Sequence, residues 1–218
     1  MTVIDVETWC PGAGCRHRIV EIAAAVYDRR GTLARGSIDA TGESWDRTSA
    51  PLVFQQLCRP EGLPRRVRLH NAVDPRWLWK PGVDSEATAV VRFAEWHYRV
   101  GGWPLVAYNH GFDRAALHGA LSEAEGWPLE DADMHGLPWA ECLMQMTRRV
   151  LQLPRRISKE RAAEAVGLAP LATLAAEADY TGPLKMHLGL PDVLLEGALL
   201  VALAHRDAQG GGSATLVK

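Results

Sequence analysis

The order in which strand-like and helix-like segments occur constrains the fold of this chain more than any other feature. Three strand-like segments come first, at residues 2–7, 18–28 and 52–60. Apolar segments of this length, bounded by turn residues, predict β-strands. The sequence RRGT follows the second segment and predicts a turn. The first part of the chain is therefore predicted to form strands that pair as hairpins.

The rest of the chain has helical spacing of its apolar residues, interrupted by one short buried strand at 104–109. The predicted helices cover residues 84–102, 112–126, 139–151, 158–167 and 191–207. The first of them has an acidic, Ser-containing start and a Gly-Gly end, which are typical boundary signals. Strands paired as hairpins, followed by alternating helix and strand, predict an α/β fold with a mixed β-sheet flanked by α-helices.

Length and composition fit one folded domain. The 218 residues are 47% hydrophobic, which is enough for a sizeable core, and we expect the domain to cover residues 1–208. The segment 209–218 contains consecutive glycines and is predicted to be a flexible tail. Residues 36–51 are polar and are expected to extend the strands or form an inserted loop, whereas the Ala-rich residues 168–186 are a candidate lid or partner surface.

Charge and hydropathy narrow the classes of function. The sequence has no run of about eighteen apolar residues, so a membrane span is not expected. The N-terminus is strand-like and acidic, unlike a secretion signal, which favours a cytoplasmic protein. The net charge of −2 gives no general attraction to nucleic acid, so binding to a phosphate polymer has to be local.

The cysteines leave one alternative open. Cys10, Cys15 and His17 could form part of a zinc site, but the chain lacks the second Cys-x-x-Cys pair that would complete it. The cysteines also lack a disulfide-framework spacing, which favours a reduced protein. A structural zinc protein remains an alternative, and it predicts stoichiometric zinc in purified material.

Two carboxylates, Asp5 and Glu7, interrupt the hydrophobic segment VIDVETW. Residues two apart in a strand point to the same face, so these side chains are expected to lie side by side. A buried charge is costly unless it pairs with a cation, and this segment contains no Lys or Arg. A shared face with two carboxylates is suited to a divalent cation.

Two further segments place acids at predicted helix starts. YNHGFD ends in Asp113, where a strand gives way to a helix, and open α/β sheets bind ligands at such strand ends. Phe112 is expected to anchor this turn in the core. HLGLPD runs from His187, in a loop, to Asp192, at the start of the last helix. Taken singly, Asp113 and Asp192 are also explained by a favourable interaction with the helix dipole.

Taken together and in this order, the motifs Asp-x-Glu-Thr, Asn-x-x-Phe-Asp and His-x-x-x-x-Asp resemble the three exonuclease motifs of the DEDDh, or DnaQ-like, 3′–5′ exonucleases. RIVEIAAAVYD is similar to the second strand of that family, and PLVAYNHGFDRAAL to its second motif. The resemblance covers residues 2–126 well and 139–207 loosely. It implies an RNase H-like mixed β-sheet, a three-stranded antiparallel meander plus parallel strands, flanked by α-helices.

The resemblance also implies a role for each motif residue. Asp5, Glu7, Asp113 and Asp192 are the expected ligands of two Mg²⁺ or Mn²⁺ ions, and His187 is the expected general base. The implied activity is that of a metal-dependent 3′–5′ exonuclease with a two-metal-ion mechanism. Such an enzyme releases nucleoside 5′-monophosphates from single-stranded or frayed 3′ ends, here with DNA favoured over RNA.

Four further residues are candidates for substrate binding. Thr8 and Trp9 follow the first motif and are expected near the terminal nucleotide. Trp9 replaces the second Thr of the family, and it either stacks on a base or packs beneath the hairpin. Asn109 and His70 match family positions near the site. The alternative to an enzyme is a non-catalytic DnaQ-like module that binds a nucleic-acid end or a polymerase or processing partner.

Overall fold

The computed structural model describes residues 1–10, 12–37, 49–101, 103–124 and 137–209. Its strands are β1 Thr2–Trp9, β2 Arg18–Val26, β3 Val53–Arg59, β4 Asp84–Ser85 and β5 Leu105–Val106. Its α-helices are α1 Glu86–Arg99, α2 His110–Glu123, α3 Leu143–Val150, α4 Lys159–Val166, α5 Leu171–Glu177 and α6 Gly189–Ala208. Within these described ranges, no helix combines the length and apolar character needed to cross a membrane.

The strands form one mixed sheet in the order β4-β3-β2-β1-β5. β1 pairs antiparallel with β2, and β2 pairs antiparallel with β3, which gives the expected three-stranded meander. The two short outer strands pair in parallel, β4 with β3 and β5 with β1. The α/β prediction of a mixed sheet flanked by helices is therefore confirmed, and β1 lies between the long β2 and the short β5.

Helices cover both faces of the sheet and enclose two hydrophobic layers. On one face α1 and α2 pack against the strands. On the other face α6 packs against β1 and β2, and α3, α4 and α5 pack around α6. The largest fully buried side chains of the two layers include Phe93, Leu117, Leu121, Leu194, Leu199 and Leu203. Burial of this apolar surface supplies most of the stability of such a domain.

Side chains alternate along β1 between these two layers. Ile4 and Val6 belong to the layer beneath α1 and α2, whereas Val3 belongs to the layer beneath α6. Since neighbouring residues in a strand point to opposite faces, Asp5 and Glu7 point toward the α6 side. The shared face that the sequence predicts for these two acids is therefore the face on which α6 begins.

Glu86, the first residue of α1, ties the helices of one layer to the β1–β2 hairpin. Its buried carboxylate accepts hydrogen bonds from the backbone N of Ile19 at 2.8 Å and from Nε of Arg18 at 2.6 Å. Arg16 bridges Glu86 and Glu123 of α2, at 3.4 and 2.8 Å. Because removal of one member would leave a buried charge without compensation, this network holds α1 and α2 against the hairpin.

The structure differs from the prediction mainly at the ends of elements. The strand predicted at 104–109 pairs with β1 only through Leu105–Val106, and the helix predicted at 139–151 begins at Leu143. The physical reason is tertiary, because the carbonyl of Ala107 accepts a hydrogen bond from the backbone N of Leu143 at 3.1 Å. A bond between segments so distant in sequence leaves no trace in the local pattern of either segment.

Other differences concern the irregular segments. The Ala-rich residues 168–186 contain the helix α5, which packs on α6. The two ends of the polar segment 36–51 approach one another, since Arg35 and Pro51 form an isolated antiparallel bridge. Residues 38–48 and residues 210–218 of the predicted tail lie outside the described residues.

Replacing Phe93 with Ala tests the core beneath α1. Phe93 is fully buried, and its ring lies 5.6 Å from that of Phe54, centroid to centroid. We expect Phe93→Ala to lower the free energy of unfolding by about 3–5 kcal/mol, because apolar contacts are lost and a cavity remains. Urea denaturation measures this change. The control is Glu95→Ala, at an exposed position of the same helix, which should change stability by less than about 0.5 kcal/mol. Similar losses in both variants would contradict the assignment of Phe93 to the core beneath α1.

His97 of α1 predicts a dependence of stability on pH. It is fully buried, and neither ring nitrogen has a hydrogen-bond partner among the described residues. Burial, and secondarily the N-terminal ammonium, lowers its pKa to about 4. Its stabilising contribution is therefore complete above about pH 6.5, where the unfolded histidine is also neutral, and is lost as the pH falls toward 4.

The expected slope from His97 is at most about 1.4 kcal/mol per pH unit. We expect His97→Leu to remove this part of the acid destabilisation, since leucine cannot take up a proton in the unfolded chain. Urea denaturation of both proteins at a series of pH values between 4 and 7 measures the difference. Parallel pH profiles for the two proteins would show that His97 does not contribute.

Candidate active site

The C-terminal half of β1 has an open edge. β5 pairs only with Thr2 and Val3, so from Ile4 onward β1 has no strand neighbour on that side within the described residues. Asp5 and Glu7 lie in this half of the strand. The starts of helices approach β1 here instead of a strand, and their side chains can converge on the two acids.

Asp113 reaches this edge from the first turn of α2, and it is only 5% exposed. Its Oδ1 accepts a hydrogen bond from the backbone N of Val6 at 3.2 Å. Burial, and secondarily repulsion from Asp5, raises the pKa of the Asp113 carboxyl well above its ordinary value. Asp113 thus occupies the position where a longer β5 would have paired with β1.

The prediction that Phe112 anchors this turn in the core is wrong. Phe112 is 36% exposed, and its ring meets the ring of His17 edge-on, with 5.0 Å between centroids. The apolar character of Phe112 predicted burial, but the turn directs the neighbouring Asp113 inward in its place.

Asp192 lies in the first turn of α6 and is fully buried. Its Oδ2 accepts a hydrogen bond from the backbone N of His187 at 3.1 Å. His187 has φ of 63°, a left-handed conformation that is uncommon for residues other than glycine. This conformation folds the loop back over the helix start, and the His187 side chain is exposed beside the buried Asp192.

Glu21 of β2, which pairs with Glu7 in the sheet register, supports the start of α6. Its carboxylate accepts hydrogen bonds from the backbone N of Gly189 at 3.1 Å and from Nε2 of Gln55 at 2.7 Å, and an acid is favourable at a helix N-terminus. A Cβ at position 189 would lie 2.7 Å from Cβ of Ala23, so glycine permits this close approach. Glu21 was not among the residues predicted from the sequence, although an acid within the apolar RIVEIAAAV is a signal of the same kind as Asp5.

The structure brings three of the predicted residues within metal-binding distance of one another. Glu7, His187 and Asp192 each offer one ligand atom, and these atoms lie within 4.8 Å of each other. Among the described residues, Oδ2 of Asp5 and Oδ1 of Asp192 are buried without a hydrogen-bond partner, which is costly for carboxylate oxygens. Carboxylate oxygens suit Mg²⁺ or Mn²⁺, so Glu7 and Asp192 fit a divalent ion at this position, with His187 beside it.

Lys159, which the sequence analysis did not single out, joins the same acids. It is the first residue of α4, and its Nζ lies 2.5 Å from Oδ2 of Asp192, 3.1 Å from Oε1 of Glu196 and 3.5 Å from Oδ1 of Asp5. Glu196 follows Asp192 by one turn of α6, and its Oε2 accepts a hydrogen bond from the backbone N of Tyr108 at 3.0 Å. The acid within VLLEGALL was a usable signal for Glu196, whereas nothing in the local sequence distinguishes Lys159 from an exposed residue at a helix start.

Crowding shifts the pKa values of these groups. Burial, and secondarily repulsion from Asp5, raises the pKa of Glu7 to about 9. Burial also raises the pKa of Glu196 to about 8 and that of Asp192 to about 6, against the opposing effect of Lys159. Burial alone would lower the pKa of Lys159, but the surrounding carboxylates raise it above its ordinary value. Burial and crowding thus disfavour the ionised forms of these carboxyl groups, and the Lys159 ammonium offsets part of that cost.

Thr8 and Trp9, the candidates for contact with the terminal nucleotide, lie at the end of β1 next to the acids. Oγ1 of Thr8 lies 3.2 Å from Nδ1 of His17. Trp9 is half-buried and packs against the cluster formed by Val20, Leu63, Val73, Leu78 and Leu188. Of the two interpretations of Trp9, the packing contact is therefore present in the structure, and stacking on a base stays a prediction.

His70 and Asn109, the other two candidates, are exposed. Asn109 precedes α2, and its side chain makes no capping hydrogen bond. The residue after His70 has a contact that sequence reasoning missed, since Nδ2 of Asn71 donates to the backbone O of Thr8 at 3.0 Å. The next residue, Ala72, donates its backbone N–H to the carbonyl O of His187 at 2.8 Å. This segment therefore joins the end of β1 to the His187 loop.

The cysteines do not form the zinc site left open by the sequence. Cys10 and Cys15 are exposed, and Cys58 and Cys142 are buried. Among the described residues, the group that could hold a metal contains carboxylates and His187, and no cysteine. The structure therefore favours a carboxylate metal site over a cysteine one.

No protein-family model and no curated protein matches this sequence. Solved structures do match the fold. Cell-death related nuclease 4 (CRN-4) matches with a TM-score of 0.55 and 13% identity over 94% of this chain. A full-length 3′-exonuclease matches with a TM-score of 0.55 and 15% identity over 94% of this chain. E. coli Exonuclease I in complex with a dA16 oligonucleotide matches with a TM-score of 0.57 and 13% identity over 95% of this chain.

The chain spans 63% of CRN-4, 81% of the full-length 3′-exonuclease and 41% of Exonuclease I. At these identities the similarity shows the fold. The chain therefore has the RNase H-like exonuclease fold, as its motif resemblance to the DEDDh exonucleases implies, and this prediction is confirmed. The roles of the individual residues are not tested by this similarity, and they stay predictions.

Metal binding at this site should stabilise the folded protein. An ion that binds only the folded state at 100 times its Kd adds about 2.7 kcal/mol, so Mn²⁺ should raise the melting temperature of protein prepared with a chelator. We expect Asp192→Asn to lose most of this rise, because it removes a charged oxygen ligand. Glu61→Gln, an exposed position, is the control. An equal rise in both variants, measured by calorimetry, would place the ion elsewhere.

Proposed function

We propose that this chain is a metal-dependent 3′–5′ exonuclease that releases nucleoside 5′-monophosphates from single-stranded or frayed 3′ ends. The observation that carries this proposal is the convergence of Glu7, His187 and Asp192 within 4.8 Å, next to unpartnered oxygens of Asp5 and Asp192. The names of the structural neighbours support it, because they are nucleases and one of them was solved with a DNA oligonucleotide.

The chemistry follows from the positions of these side chains. Glu7 and Asp192 would hold a divalent ion, which would supply charge stabilisation to the scissile phosphate and activation of water. The exposed His187 ring lies beside the buried acids and is the proposed base that takes the proton of the attacking water. Hydrogen bonds to Asp192 and Ala72 fix the backbone of His187. The ring therefore extends from a fixed position at the entrance to the site.

The surface next to the site supports binding of a nucleic-acid strand. Arg65, Arg66 and Arg68 are exposed, and they precede the Asn71–Ala72 contacts with β1 and the His187 loop. The Arg65 guanidinium lies 5.3 Å from the centroid of the Trp79 ring, which positions its charge at the surface. Guanidinium groups bind phosphates without reading sequence, so we propose that the strand backbone leaves the site along this segment.

A second candidate function is a non-catalytic module that binds nucleic-acid ends or a polymerase or processing partner. The observation that favours it is Lys159, since an ammonium between Asp5 and Asp192 offsets part of their charge without a metal ion. Against it, the orphaned oxygens and the exposed His187 have no function in a module that only binds. We therefore give the enzyme precedence.

Digestion of a 5′-labelled single strand in Mg²⁺ or Mn²⁺ tests the proposal. We expect the strand to shorten one nucleotide at a time from its 3′ end, with release of nucleoside 5′-monophosphates. We expect Asp5→Asn to slow this reaction by more than about 100-fold. Loss of a group that only supports a metal ligand costs up to about 100-fold, and we expect the loss of Asp5 to cost more than that. Glu61→Gln, an exposed carboxylate away from the acid cluster, should retain the wild-type rate.

DNA and RNA strands, single and duplex, should be digested in parallel, and we expect single-stranded DNA to be the preferred substrate. Binding of strands without shortening, in either metal, would support the non-catalytic module instead. Equal shortening by wild type and Asp5→Asn would indicate a contaminating nuclease and would contradict the proposed site.

A further inference from the structure

We propose that the ammonium of Lys159 takes the place of the second metal ion, so that this site holds one divalent ion and one fixed lysine charge. The inference rests on the proposed metal-dependent function and specifies its metal centre. The resemblance to the DEDDh exonucleases implies two ions on Asp5, Glu7, Asp113 and Asp192, and the geometry around Lys159 departs from that expectation.

The first reason is the position of the ammonium. Nζ of Lys159 lies 2.5 Å from Oδ2 of Asp192 and 3.5 Å from Oδ1 of Asp5, so it bridges an acid of β1 and an acid of α6. An ion bound to the same two oxygens would require that space, because magnesium–oxygen distances are about 2.0–2.1 Å. The lysine side chain is 12% exposed and Asp192 is 1% exposed, so the contact is inside the protein and is weakly screened by salt.

The second reason is that Lys159 is also paired with Glu196. Oε1 of Glu196 lies 3.1 Å from Nζ, and Oε2 of Glu196 accepts the backbone N–H of Tyr108 at 3.0 Å. Both oxygens of this fully enclosed carboxyl are therefore engaged, and Glu196 is not free to bind a metal. A lysine tied only to Asp5 and Asp192 could leave when ions bind, whereas Glu196 retains it beside them.

The third reason is that Lys159 is unfavourably placed as an ordinary helix residue. It is the first residue of α4, directly after Ser158, whose side chain accepts the backbone N–H of Arg161 at 3.4 Å. A cation at a helix N-terminus opposes the helix dipole, and burial of its charge adds to that cost. A local conflict of this kind is expected at functional sites, and here three carboxylates compensate for it.

The remaining ligand atoms define one position for a divalent ion. Oδ1 of Asp192 and Oδ2 of Asp5 are the oxygens that Lys159 does not contact, and both are buried without a partner in the part of the chain that the structure describes. Glu7 and His187 form, together with Asp192, the group whose ligand atoms lie within 4.8 Å of one another. Asp113, the other expected ligand, uses Oδ1 for the backbone N of Val6. One ion held by Glu7 and Asp192 fits this group, while the ammonium compensates the charge of Asp5.

The number of Mn²⁺ ions per chain tests this inference without any measurement of activity. Protein freed of metal with a chelator is titrated with Mn²⁺, and bound ions are counted by equilibrium dialysis and observed by electron paramagnetic resonance. We expect wild type to bind one ion per chain, with the spectrum of an isolated Mn²⁺. A pair of ions roughly 3.5–4 Å apart would give a spin-coupled spectrum instead.

The matched variant is the double substitution Lys159→Met with Glu196→Gln. The amide introduced at position 196 keeps an oxygen that accepts the backbone N–H of Tyr108, and methionine keeps an apolar side chain at position 159. Because the carboxylate at position 196 is removed together with the ammonium, no unpaired charge remains there. We expect this variant to bind two ions per chain, because the space and the oxygens of Asp5 and Asp192 become available. Lys80→Met, at an exposed position, is the control and should bind one ion.

Two ions in wild type, or one ion at unchanged affinity in the double variant, would overturn the inference. Strand digestion by the same Mn²⁺-loaded samples separates this result from the proposed function. Two bound ions with strand shortening would overturn the lysine inference alone. One bound ion without shortening would overturn the exonuclease alone, and no bound ion would overturn both.

Discussion

Several carboxyl groups are buried around one strand, and the surrounding structure has to compensate for their charge. Asp5 and Glu7 project from β1 toward α6, Asp192 meets them from α6, and Asp113 lies at the edge of the same strand. Carboxylates this close destabilise one another unless protons or cations intervene. Burial raises the pKa values of Glu7 and Asp113 and so favours their protonated forms. The Lys159 ammonium is a cation that the fold itself provides.

The short β5 explains how so many groups reach one place. Because β5 pairs only with Thr2 and Val3, the start of α2 reaches the open edge of β1 through Asp113. The starts of α4 and α6 bring Lys159 and Asp192 to the acids on the adjacent face. Helix starts carry unpaired N–H groups and a partial positive charge, which suits acids such as Asp113 and Asp192. On the opposite side of β1, Glu21 uses the same effect to fix the start of α6. Topology and charge thus act together at this edge.

Sequence patterns predicted the part of the structure that is local or ordered along the chain. The three strands and the principal helices follow from periodicity, whereas the acids of the three motifs were identified through their resemblance to the DEDDh exonucleases. The ends of elements were less predictable, as Leu105–Val106 and the start of α3 show, because bonds between distant segments set them. Glu21 and Glu196 carried a usable signal as acids within apolar runs. Lys159 carried none, since only the tertiary fold brings the start of α4 to β1.

The most direct measurement of the metal site is an anomalous difference map from crystals grown with Mn²⁺, recorded with X-rays near the manganese absorption edge. We expect a peak in contact with Glu7 and Asp192, while Lys159 stays paired with Glu196. A map with no peak between β1 and the start of α6, or with manganese only at another part of the surface, would contradict the claim that these acids form a metal centre.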